Sequence, residues 1–144
     1  MGLKMEDAII RIGRYLRSNN THPRFVNVNN QENAAAIFQQ FHVGENIFKS
    51  VPDFSVPDEN LFEDVLFNYL TDAKGTVFLT GFTSYYKLHG EQKLRDFLNR
   101  MMNIPLIDTH LVVVCYQCEK LLSKPDTRYS QFIYLVDDKP ESLP

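Results

Sequence analysis

The sequence of 144 residues has no tryptophan, only two cysteines and only six glycines, and it carries no excess of positive charge. Each shortage excludes something. Two cysteines do not make a disulfide framework, which agrees with a reducing compartment. A net charge of −3 gives no general electrostatic footprint for nucleic acid or anionic lipid, which call for clustered Lys and Arg, so direct nucleic-acid binding is disfavoured. The apolar run Leu111 to Cys115 is far too short to cross a bilayer, and the N-terminus has no continuous apolar segment of a signal peptide. These features together predict a cytoplasmic protein without a membrane span.

Glycine is scarce where it would matter most. The stretch "FVNVNNQENAAAIF", Phe25 to Phe38, reads as an apolar strand running straight into a helix. A phosphate loop at such a junction needs glycines so that successive N–H groups can converge on phosphate, and a Lys for the distal phosphates. Residues 27–36 contain neither. The apolar strand "TVFLTGF" ends in Thr80 and Gly81, where a nucleotide-hydrolysing enzyme would present a carboxylate to Mg²⁺. The economical reading of the junction is a helix capped by Asn30, with anion binding at the helix N-terminus as the functional alternative.

What is present is ordinary globular composition, 44% hydrophobic and 23% charged, with the aromatic share carried by 11 Phe and 7 Tyr. The length suits one domain, residues 1–144, with one core. Met5, Ile9, Ile12 and Leu16 at helical spacing predict a helix over about 5–18, followed by a strand at Arg24 to Val28. The next helix buries Ala34, Ile37, Phe38 and Phe41 and is closed by Gly44; a weaker strand follows at Asn46 to Val51. Asp58 is placed to cap a helix whose apolar face is Leu61, Phe62, Val65, Leu66, Tyr69 and Leu70, and Gly75 punctuates its exit. After "TVFLTGF", the residues Leu94, Phe97, Leu98, Met101 and Met102 mark a helix that must stop before Pro105. "HLVVVCY", a short helix around Cys118 to Leu122 and "QFIYLVD" complete the chain. Alternation of strand and helix predicts an α/β fold: a Rossmann-like, three-layer αβα sandwich with a mainly parallel sheet of about five strands, lacking a P-loop. Strand order is not readable from this pattern. The chain stops a few residues after an apparent core strand, which reads as a fragment of a longer protein.

In an open parallel sheet, ligands bind outside the carboxyl ends of the strands. The candidate ligand- or partner-binding residues are therefore Asn29, Asn30 and Gln31 after the first strand, Thr83, Ser84, Tyr85, Tyr86 and His89 after the third, and Gln117 after the fourth. The loop "TSYYKLHGE" reads either as a partner-contact loop or as a turn whose tyrosines pack on the sheet. Asp137 and Asp138 read as a solvated strand end, because adjacent strand residues point to opposite faces. Cys115 and Cys118 form a C-x-x-C at a strand-to-helix junction, the setting of a redox pair, but Cys115 continues an apolar run and reads as a buried small hydrophobe. Zinc would need two further ligands, and His22, His42, His89 and His110 show no paired spacing that supplies them. No catalytic residue, metal or cofactor is predicted.

The segment "GTVFLTGFTSYYKLHGEQKLRDFLNRMMNIPLIDTHLVVVCYQCEKLL" resembles the amino-terminal region of PglZ-domain proteins of bacterial BREX phage-defence loci, in pattern across about residues 25–137. The resemblance implies an accessory Rossmann-like domain ahead of a metal-dependent phosphatase-like domain, and it carries over no catalytic or metal-binding residue. The leading expectation is a non-catalytic module that docks a protein or another domain of the same chain. The alternatives are a small-ligand-binding or enzymatic domain using the polar strand ends, and a C-x-x-C thiol oxidoreductase.

Overall fold

The computed structural model describes residues 3–42, 44–51, 62–81, 90–116 and 131–137. Helix α1, Met5–Leu16, buries Ala8, Ile12 and Tyr15 and places Glu6 and Asp7 in its first turn, where they complement the helix dipole. Strand β1, Arg24–Val28, is buried at all five positions. It is followed by α2, Gln31–Phe41, and β2, Ile47–Ser50. Helix α3, Phe62–Asp72, leads to β3, Gly75–Thr80, and α4, Glu91–Met102, leads to β4, Thr109–Tyr116. Strand β5, Ile133–Leu135, completes an entirely parallel sheet in the order β2-β3-β4-β1-β5.

That order explains the layers. The β1 to β2 connection runs toward one edge past β4 and β3, whereas β2 to β3 and β3 to β4 run back, so right-handed crossovers put α2 on one face and α3 and α4 on the other. The two cores agree. One joins Leu66, Leu70, Leu94, Phe97 and Met101 to Phe25, Val77, Leu79, Leu111 and Val113. The other joins Ala8, Ile12, Ala34 and Ile37 to Val26, Val28, Phe78, Val112 and Val114. Neighbouring residues along β1 and β4 thus serve opposite faces, and burying each such Val, Leu or Phe side chain contributes about 1.5–3 kcal/mol. The expected three-layer α/β fold is the fold observed.

Details differ from the sequence reading in three places. Helix α1 stops at Leu16, because Ser18 turns back to accept no further turn and instead donates its hydroxyl to the Tyr15 carbonyl at 2.7 Å. Helix α3 is rotated: Val65 is 39% exposed, while Phe67 is buried. The cause is α4, whose Phe97 ring meets Phe67 edge-on at 5.6 Å and whose Arg100 covers the Phe67 ring and pairs with Glu63. Gly75 is the first residue of β3 rather than a loop residue, and its φ of +103° is why glycine stands there. The proposed cap Asp58 and the helix around Cys118 to Leu122 lie outside the described residues.

The far edge is closed by the N-terminus. Leu3 bridges in parallel to Val136, its N–H donating to the Leu135 carbonyl and its carbonyl accepting from Asp137, both at 2.8 Å. The opposite edge, β2, is only four residues long.

Candidate functional site at the carboxyl ends of β1 and β4

Strands β1 and β4 are neighbours, yet the chain leaves β1 for one edge of the sheet and leaves β4 for β5 at the other. Their carboxyl ends therefore form the topological switch point, where open α/β sheets place ligands. The register sets Asn27 beside Cys115 and Val28 beside Tyr116. Asn27 and Cys115 share the α3/α4 face of the sheet, and both are buried. The Cys115 thiol lies 3.7 Å from both the Val26 carbonyl and the Asn27 side-chain oxygen, weak acceptors for one S–H donor.

Beyond the strand, Asn30 acts as predicted. Its side-chain oxygen accepts from the Asn33 N–H at 2.8 Å, and its carbonyl accepts from Ala34. Gln31 is the exposed first residue of α2, and Glu32 adds a carboxylate in the same turn. The dipole end that would attract phosphate is thus already met by an amide oxygen and an acid of the chain itself. Asn29 is different: its side-chain nitrogen is shut off from solvent and finds no acceptor among the described residues. Among the described residues, the site that results is built from carboxamides and a thiol, with Glu32 as its charged group and no cation.

The sequence-predicted residues Thr83, Ser84, Tyr85, Tyr86, His89 and Gln117 lie outside the described residues, as do Cys118 and Asp138. Of the predicted set, the structure brings together Asn29, Asn30 and Gln31. Asn27 was missed, since an Asn inside an apolar strand carries no motif; its one signal is that it interrupts the run "FVNV" at a position facing the core. Among the described residues, no group of three or more His, Cys, Asp or Glu is placed to hold a metal ion.

The amino ends of the same strands hold a second polar cluster that sequence reasoning also missed. Arg24 is buried in β1, its guanidinium carbon 4.3 Å from the Tyr15 ring centroid and 4.7 Å from that of Phe132. It donates to the Tyr134 hydroxyl at 3.2 Å and to the His22 carbonyl at 2.9 Å. The His22 ring stacks on Phe132 at 3.7 Å and its Nδ1–H donates to the Pro23 carbonyl. Tyr15 accepts from the Leu111 N–H at 3.0 Å and meets His110 edge-on, while His110 donates through Nε2 to the Ser18 carbonyl at 2.8 Å. Burial pushes the Tyr15 phenol up to about 12, and burial, helped by Arg24, holds His22 below the usual imidazole value against the opposing pull of the Pro23 carbonyl.

The chain belongs to a family described as a domain of unknown function, DUF7864, whose profile matches residues 6–144. No curated protein matches it in sequence. Among solved structures it is similar to the crystal structure of Cdc6p from Pyrobaculum aerophilum, at 12% identity and a TM-score of 0.45, over 91% of this chain and 43% of that one. The chain therefore spans less than half the length of that protein.

Proposed function

We infer that this chain is a non-catalytic α/β docking module of a larger bacterial protein, in the phage-defence setting that the resemblance to PglZ-domain proteins implies. One observation carries the reading. At the junction where α/β folds of this kind take phosphate, α2 is capped by Asn30 and charged by Glu32, with no glycine or lysine nearby. Calorimetry with Mg-ATP tests it: no saturable heat is expected, and a micromolar dissociation constant lost on changing Asn30 or Gln31 would overturn it. Docking itself is tested at Tyr85 and Tyr86, large amphipathic side chains of the kind enriched at interface hot spots. Changing both to Ala is expected to preserve folding and weaken association with the rest of the parent protein or its partner.

A second reading rests on Asn29. Its buried nitrogen at the switch point, without an acceptor among the described residues, favours a small-ligand site that supplies one, a carbonyl or ether oxygen for instance. Thermal-shift screening against uncharged metabolites separates the two: a stabilising ligand whose effect disappears in Asn29→Ala supports this second reading over the first.

A further inference from the structure

Positive charge is concentrated at one end of the chain. Residues 1–24 hold five of the fifteen Lys and Arg but two of the eighteen Asp and Glu, in a protein of net charge −3. On α1, Arg11, Arg14 and Arg17 are exposed, and none of them has a carboxylate within ion-pair distance among the described residues, where the ion pairs belong to α3 and α4. Ile10 is 48% exposed and shares a helix face with Arg14 and Arg17 at i, i+4 and i+7. Arg11 flanks this face where its guanidinium lies 5.9 Å from the Tyr134 ring, and Tyr134 in turn accepts from Arg24, a fourth cation without a carboxylate partner among the described residues and 9% exposed.

Resting on the docking reading above, we propose that the outer face of α1, from Ile10 to Arg17, is a docking surface in addition to the one tested at Tyr85 and Tyr86, and that its partner is an acidic protein segment carrying apolar side chains. Charge complementarity selects the acidic partner, since the exposed Arg11, Arg14 and Arg17, none with a carboxylate partner among the described residues, set a positive potential on a negative molecule. The exposed Ile10 among arginines selects protein over nucleic acid, because Arg and apolar anchors together make interface hot spots whereas a phosphate backbone offers nothing for an aliphatic side chain to bury against. A membrane surface does not fit, because the apolar face of α1 is already spent on the sheet through Ala8, Ile12 and Tyr15.

The test is fluorescence anisotropy with a fluorescein-labelled glutamate- and leucine-rich peptide, at low and at physiological salt, beside a labelled duplex DNA. The full chain should bind the peptide with an affinity that falls as salt rises. Arg11→Glu, Arg14→Glu and Arg17→Glu combined should weaken binding by about tenfold or more with an unchanged circular dichroism spectrum. Lys93→Glu, reversing an exposed charge on α4, should bind as the parent does. Unchanged affinity in the triple variant, tighter binding of duplex DNA than of peptide, or no peptide binding by the parent at low salt would each overturn the proposal. The docking reading fails separately, through the Mg-ATP titration, which does not involve α1.

Discussion

The two ends of the β1 and β4 strand pair are built from opposite materials. At the amino ends, a cation is enclosed by aromatic rings and its neighbours are tied across long sequence separations: Tyr15 to Leu111, His110 to Ser18, Arg24 to Tyr134. At the carboxyl ends the groups are amides and a thiol beside the Glu32 carboxylate, Asn30 bonding within its own turn and Cys115 lying 3.7 Å from the Asn27 oxygen, and one of them, the Asn29 nitrogen, has no acceptor among the described residues. Interlocked polar groups rigidify a structure, whereas an unmet donor costs stability unless something arrives to meet it. Polar richness alone therefore does not mark the ligand end of this sheet. The amino end is scaffold, and the carboxyl end is where, among the described residues, a buried donor is left unmet.

This contrast breaks first at Arg24. Arg24→Ala removes two stacking contacts and two hydrogen bonds and should destabilise by about 2–4 kcal/mol in urea denaturation, with Arg24→Met losing less because an apolar chain needs no desolvated charge. Equal losses for the two would assign Arg24 a role through charge rather than packing. Tyr15→Phe should cost about 1–3 kcal/mol, since the Leu111 N–H is left without its acceptor. It should also remove an alkaline weakness: with the folded phenol raised to about 12 against an ordinary value of 10, the unfolded chain releases its proton first and parental stability falls as pH rises through that window.

At the carboxyl end, Cys115→Ser should destabilise by about 1–3 kcal/mol, because a hydroxyl at that buried position costs more to desolvate than a thiol and the Val26 and Asn27 oxygens at 3.7 Å are too far to compensate it. Asn30→Ala should cost about 1 kcal/mol through the lost cap, measured by thermal melting. The smallest effect sharpens the comparison most. His22 is held below its ordinary value when folded, so the unfolded chain takes up a proton first and stability should fall as pH drops below about 6.5. In His22→Gln that acid slope should be reduced, as followed by melting temperature against pH; an unaltered slope would move the acid sensitivity to other groups.

Much of the framework was legible in the sequence. The bounds of β1, the Asn30 cap and the buried set Leu94, Phe97, Leu98, Met101 and Met102 were all readable, because capping and apolar periodicity act over one or two turns of chain. The site was legible only in part. Asn29, Asn30 and Gln31 followed from strand-end logic, but Asn27 did not, since its importance comes from a partner 88 residues away.

By itself the sequence determined the α/β class, the parallel character of the sheet and the absence of a phosphate loop at β1, because local alternation, turn chemistry and residue identity settle these without knowledge of neighbours. Only the tertiary structure decided the order β2-β3-β4-β1-β5, the switch point between β1 and β4, the turning of Val65 outward and Phe67 inward, and the enclosure of Arg24. These depend on which segments meet across the sheet. An arginine reads as solvated in any sequence window until Tyr15 of α1 and Phe132 and Tyr134 of the β5 segment are brought around it.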